Sequence, residues 1–219
     1  MHPPFHDRPD GETGPGDEQP PRVDAAKAEL RRRVRAARRQ LPAEERDALG
    51  RGIRDVALST PLVSSAGVLT CYLSARFEPP TGPLRAALAA AGKTVLLPVV
   101  RTAGGEPLLD WAVDDGTTRP GPYASLEEPA GPRLGTAAIA DADVVIVPAL
   151  AVDTLGRRLG QGGGFYDRAL LATREGVLVV AILHDDEVLD ADVEAVPALP
   201  HDRLVDAVLT PTRYVTVRR

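Results

Sequence analysis

The sequence predicts an α/β fold: a mostly parallel sheet with helices on both faces, a three-layer α/β/α arrangement preceded by an N-terminal helical pair. Three observations point there. After Pro61, short runs of Val, Ile and Leu recur between helical or loop-like stretches, as in strands buried on both faces and joined by crossovers. Before Pro61 the apolar residues recur every three or four positions instead, the period of amphipathic helices. A glycine-rich turn also follows directly on one apolar run, at the strand end where open sheets collect ligands.

The elements follow in order. Residues 1–22 alternate Pro, Gly, Asp, Glu and His with Phe5 as the one large apolar side chain, too little surface to offset ordering, so a disordered tail is expected there. A single domain is expected over 23–219. Val23, Ala26, Leu30, Val34, Ala37 and Leu41 mark the first helix; the arginines of its other faces, Arg31, Arg32, Arg33, Arg35, Arg38 and Arg39, read as a solvated surface. Pro42 suits the first turn of a second helix, Ala43 to Ser59, with Ile53, Val56 and Leu58 as its apolar side. Then come a buried strand Ala66 to Leu73, a helix Thr81 to Ala91 closed by Gly92, a strand Thr94 to Val100 and an edge strand Leu108 to Val113. The Gly- and Pro-rich stretch Asp114 to Pro132 reads as a long surface loop. Asp143 to Val147 is a core strand, Tyr166 to Thr173 a helix and Val177 to Leu183 a strand; an acidic loop runs through Pro200 before the final core strand, Leu204 to Leu209.

Composition narrows the function. The net charge is −5 and the pI about 5.4, so the chain lacks the cationic field of a non-specific nucleic-acid binder. No apolar run approaches the roughly 20 residues that span a bilayer. The one cysteine, Cys71, sits in an apolar run with no second thiol to pair, as expected of an inert core residue in the cytoplasm. The expected protein is a monomer acting on a small molecule, with neither nucleic acid nor membrane as partner. The histidines His184 and His201 read as structural or solvated.

The chemistry concentrates between Pro148 and Arg168, where five glycines, Arg157, Arg158, Asp153 and Asp167 share one short loop after a strand. Glycines let backbone N–H groups converge on an anion, arginines offer forked donors to phosphate oxygens, and a nearby aspartate can hold a hard cation. Gly160-Gln-Gly162-Gly163-Gly164-Phe165 fails the G-x-G-x-x-G spacing, and no Gly-Lys-Ser/Thr follows, which excludes the Rossmann and P-loop fingerprints. A tight strand-to-helix turn would need only one or two glycines and has no use for two flanking arginines.

This segment resembles the signature of the 5-formyltetrahydrofolate cyclo-ligase family. Further anchors occur in the family's order at Lys27-Ala-Glu-Leu-Arg31, at Leu73 with Glu78-Pro-Pro-Thr81, at Glu128-Pro129, and at His201-Asp202-Arg-Leu-Val-Asp206. The resemblance implies an ATP-dependent cyclisation of 5-formyltetrahydrofolate to 5,10-methenyltetrahydrofolate, releasing ADP and phosphate after phosphorylation of the formyl oxygen, with ATP as co-substrate and Mg2+ beside it. It implies ATP contacts at Lys27, Arg31, Arg158, Leu159, Gly160, Gln161, Gly162, Gly163, Gly164, Phe165 and Tyr166, with Arg158 stabilising phosphate and no protein nucleophile. It implies folate contacts at Leu73, Glu78 and Phe165, and magnesium at Asp167 and Asp202. Phe165 stands where the family usually has tyrosine, and in Tyr123-Ala-Ser-Leu-Glu-Glu128-Pro129 either Tyr123 is displaced by one position from the family's aromatic or that aromatic is absent, so the contact is left unassigned. A non-catalytic nucleotide- or folate-binding regulator of the same fold is the alternative, and an RNA-binding module using the arginine stripe a third reading.

Overall fold

The structure is a computed structural model that describes residues 20–101, 108–123, 126–199 and 202–217. Helix α1 runs over Pro20–Gln40, α2 over Ala43–Ser59 and the single turn α3 over Pro61–Ser64. Strand β1 (Val68–Thr70), helix α4 (Gly82–Ala90), strand β2 (Thr94–Arg101) and strand β3 (Leu108–Val113) follow, then a hairpin of β4 (Thr118–Pro120) and β5 (Glu127–Pro129). Strand β6 (Val144–Pro148) leads into β7 (Ala151–Asp153), β8 (Arg158–Leu159) and helix α5 (Phe165–Ala169). The chain finishes with β9 (Leu178–Ile182), β10 (Val188–Leu189), β11 (Ala207–Leu209) and β12 (Tyr214–Thr216).

Seven strands form the main sheet in the order β12-β11-β9-β6-β1-β2-β3, parallel except for the two edge strands β3 and β12. Alternate residues of each strand point to opposite faces. Leu69, Ile146, Val180 and Ile182 face α2 and α4, where Ile53, Ala57, Leu84 and Leu88 complete one core. Val145, Val147, Val179 and Ala181 face the other way, onto Trp111, Ile139 and Leu170. That second layer is thinner, built from α5 and the 3-10 turns Thr136–Asp141 and Leu170–Ala172. The expected α/β architecture is therefore present, with helical cover on both faces.

The two N-terminal helices go to different sheets. α2 packs on the main sheet, whereas Leu30 and Val34 of α1 pack with Leu150, Ala151, Leu159 and Val196 around a small sheet of order β10-β7-β8. The buried stripe of α1 also differs from the apolar periodicity: Lys27 and Arg38 are buried at positions beside Ala26 and Ala37, which are exposed. Arg38 therefore does not belong to a solvated surface. Its guanidinium donates to Glu187 at 2.6 and 2.8 Å and to the carbonyl of Ala149 at 2.7 Å. Burial alone would lower its pKa, but the bonds to Glu187 outweigh it and hold the group firmly charged.

Other boundaries moved for identifiable reasons. Residues 1–19 of the segment read as a tail, and His201, lie outside the described residues; Pro20, Pro21 and Arg22 open α1, since proline is tolerated in a first helical turn. The ladder of the first strand stops at Thr70, because the chain then turns to put Tyr72 and Leu73 beside the cleft described below, the Tyr72 carbonyl accepting from Thr81 Oγ1 at 2.5 Å. The stretch read as a surface loop holds the β4–β5 hairpin, whose Glu128 is buried and accepts from the Val100 amide at 2.7 Å. The Pro148–Arg168 run is a hairpin, β7 against β8, before its glycine turn. A further antiparallel strand, β12, follows the one expected to be last.

Cys71 is fully buried, and burial pushes its thiol up to about 12. At pH 8 roughly one molecule in 10⁴ then carries the thiolate, the reactive form. A thiol reagent added at pH 8 is expected to leave the native protein unmodified and to titrate one thiol once urea unfolds it. Rapid stoichiometric reaction in buffer would contradict the assignment.

Candidate active site

β1 sits where the strand order reverses, with β2 on one side and β6 on the other. Open sheets of this kind place their ligands beyond the carboxyl ends of such strands. A cleft of about 640 Å3 occupies that position. Lys27, Arg31, Leu73, Glu78, the run Arg158 to Asp167, and Asp202 all line it, so every site residue named from the sequence is brought to one place, from segments as far apart as α1 and the chain following β10.

The basic wall is built by α1 and the glycine turn. Lys27 and Arg31 lie one helical turn apart and so share a face. Lys27 Nζ donates to Asp202 at 2.5 Å, and Arg31 Nε to the Gly160 carbonyl at 2.9 Å. Burial and the neighbouring Arg35 lower the pKa of Arg31. Arg158 leaves β8 with its side chain 4% exposed, donates through Nη2 to Asp167, and keeps Nε buried with no partner among the described residues. Gly162 has φ +103° beside the Arg31 guanidinium, a backbone conformation L side chains rarely adopt. A Cβ at Gly163 would stand 2.9 Å from the Phe165 ring, so both glycines are required for the turn to lie flat against its neighbours.

The opposite wall is apolar and partly aromatic. Leu73, Pro98, Val100, Leu109, Tyr123 and Leu126 contribute to it, and the Tyr123 and Phe165 rings meet edge to face at 6.4 Å. Glu78 stands on the same cleft, its carboxylate accepting from the Ala75 amide at 3.0 Å and the Gln161 amide at 3.2 Å. The hydroxyls of Tyr72 and Tyr166 are buried with no partner among the described residues, and burial holds both phenols protonated, well above their ordinary range. Tyr72 and Leu126, which also line the cleft, were not singled out from sequence, and Glu128 entered only as part of the Glu128-Pro129 anchor, with no site role. The one available signal was the aromatic and acidic content of residues 123–128, within a stretch that carries no strand periodicity. His184 is buried, and burial lowers its pKa; it lies outside the cleft lining, as a structural histidine would.

Asp167 is 39% exposed, with one oxygen held by Arg158, so its carboxylate retains an open side toward the cleft it lines. Among the described residues no group of three or more His, Cys, Asp or Glu could cage a metal ion. Two carboxylates on a cleft that can also receive phosphate nevertheless fit magnesium, which takes one or two such ligands and completes its shell from phosphate oxygens and water. Among the described residues no helix is long and apolar enough to cross a membrane.

These features define an α/β protein with a cleft at the switch point of a largely parallel sheet, cationic and glycine-lined on one wall and apolar on the other. The 5-formyltetrahydrofolate cyclo-ligase family model matches residues 23–211. The chain is 38% identical over 200 residues to a 5-formyltetrahydrofolate cyclo-ligase of Mycolicibacterium smegmatis, covering 89% of this chain and 98% of that one. It is 31% identical to the Escherichia coli K12 enzyme of the same name, over 82% and 97% of the two chains. The solved structure of Aquifex aeolicus 5,10-methenyltetrahydrofolate synthetase superposes with a TM-score of 0.71 at 26% identity, over 88% of this chain and 93% of that one. The chain belongs to the 5-formyltetrahydrofolate cyclo-ligase family.

Proposed function

We propose that the protein couples ATP to closure of 5-formyltetrahydrofolate into 5,10-methenyltetrahydrofolate, releasing ADP and phosphate, and that the cleft at the switch point is where this occurs. The observation that carries the proposal is the two-walled cleft: guanidinium groups and a glycine turn on one side, Tyr123, Phe165 and Leu73 on the other, with Glu78 lining the same space. One wall suits a triphosphate and the other a flat reduced pterin.

In this reading Lys27, Arg31 and Arg158 bind phosphate oxygens together with backbone N–H groups of residues 160–164, and Tyr166 completes the loop around the nucleotide. Glu78 accepts hydrogen bonds from pterin N–H groups, while Leu73 and Phe165 pack on the ring. Asp167 and Asp202 hold magnesium, which when bound neutralises charge on the phosphates. The formyl oxygen attacks the γ-phosphorus and the bond to the bridging oxygen of ADP breaks. N10 then adds to the activated carbon, gives up its proton, and phosphate departs with the former formyl oxygen. Such a reaction needs alignment and charge stabilisation rather than a protein nucleophile. Arg158, already desolvated and aimed by Asp167, supplies the preorganised positive charge. In this reading the enzyme works in the cytoplasm as a monomer on small molecules, in keeping with its single buried thiol, Cys71.

Mixing the full chain with 5-formyltetrahydrofolate and magnesium-ATP should produce methenyl absorbance that depends on ATP and stops on chelation of the magnesium. Binding of both ligands with no absorbance change would make the chain a regulator of the same fold and overturn the catalytic reading.

A further inference from the structure

Gln161 sits on the glycine turn and reaches in two directions. Its Oε1 accepts from Arg35 of α1, Nε at 3.2 Å and Nη2 at 2.8 Å, and the same Nη2 takes the Gln161 carbonyl at 2.9 Å. Its Nε2 donates to Glu78 Oε1 at 3.2 Å. Partner chemistry fixes the amide's orientation, because a guanidinium only donates and a carboxylate only accepts. A primary amide, with acceptor and donor on separate atoms, can serve both ends. Lysine or arginine here could donate to Glu78 but would face Arg35 with like charge, and glutamate would accept from Arg35 but repel Glu78. Glu78 Oε2 is held separately by the Ala75 amide at 3.0 Å. The carboxylate is therefore set by its own loop on one side and by the glycine turn on the other.

We infer that Gln161 is a positioning residue that couples the two ends of the cleft: nucleotide seated in the glycine turn fixes Gln161, Gln161 fixes the Glu78 carboxylate, and folate binds more tightly to the fixed carboxylate. This rests on the placement of nucleotide and folate proposed above. Arg35 anchors the link from outside, since it is exposed and is absent from the cleft lining. Linkage makes the coupling reciprocal, so folate tightens nucleotide binding by the same factor.

Calorimetric titration of 5-formyltetrahydrofolate into the full chain, with and without saturating magnesium β,γ-methylene-ATP, measures the coupling without turnover. In the unmodified protein the nucleotide should lower the folate Kd by about fivefold or more. In Gln161→Ala and in Gln161→Lys the ratio should fall to about one, and Arg35→Met should move it the same way with every cleft residue intact. A ratio unchanged in these variants, or a ratio of one in the unmodified protein, overturns the coupling while leaving both ligand sites standing. Failure of the unmodified protein to bind nucleotide or folate at all would instead remove the site assignment itself.

Discussion

Arg158→Met is expected to lower kcat/KM by about 10²–10³-fold while the protein stays folded, the loss typical when one preorganised donor to transition-state charge is removed. The side chain is 4% exposed, and its Nε has no partner among the described residues. A charge held dry and partly unsatisfied interacts with phosphate more strongly than a solvated one. Methionine keeps much of the apolar stem and removes only the charged fork. Asp167 then loses its cation, but at 39% exposure water can solvate it, so the stability cost is small. Arg158→Lys should restore only part of the rate, because an ammonium cannot donate as a planar fork to Asp167 and phosphate together. Initial rates of methenyl formation, with a urea melt of each variant, check this; activity within tenfold of the unmodified protein would contradict the role given to Arg158.

The largest stability effect is expected at Arg38, two helical turns beyond Arg31 on α1 and outside the cleft lining. Its side chain is 2% exposed and that of its partner Glu187 5%. Arg38→Met leaves a buried carboxylate without its counter-charge, its remaining hydrogen bond among the described residues being from the His184 amide at 2.9 Å, and strips the Ala149 carbonyl of the Arg38 donor. Removing one member of such a pair costs about 3–5 kcal/mol, a large part of the roughly 5–15 kcal/mol that holds a domain together. The double variant Arg38→Met/Glu187→Gln should recover much of the loss, since the amide needs no counter-charge and its oxygen can still accept from His184. Urea midpoints at constant slope measure both. A cost below about 1 kcal/mol for Arg38→Met would show that the pair does not anchor the helix. The anchor bears on function because α1 also carries Lys27, Arg31 and Arg35.

Why Arg38 could not be picked out of the arginine run is instructive. Six arginines lie between positions 31 and 39, and which of them turns inward is decided by Glu187, 149 residues away in sequence. The same applies to Lys27: periodicity nominated Ala26 for the buried stripe, while the tertiary partner Asp202 selected its neighbour. The glycine turn, by contrast, was legible because its chemistry is contiguous and its composition is useless for ordinary packing. The parallel core strands were legible because both their faces are covered, which forces unbroken Val, Ile and Leu. The β4–β5 hairpin was hidden for the opposite reason. Thr118, Arg119 and Pro120 are all exposed, so no alternation marks the strand, and Glu128 and Tyr123 reach the cleft from what reads as loop. Sequence thus located the phosphate wall, whereas much of the apolar wall emerged only from the fold.

A crystal structure of the full chain with magnesium β,γ-methylene-ATP and 5-formyltetrahydrofolate tests the central claim most directly. The triphosphate should lie within hydrogen-bond distance of Arg158 and the backbone amides of residues 160–164, with the formyl oxygen facing the terminal phosphorus between the glycine turn and the Tyr123–Phe165 wall. A nucleotide bound elsewhere, with the glycine turn in contact with no phosphate, would contradict it.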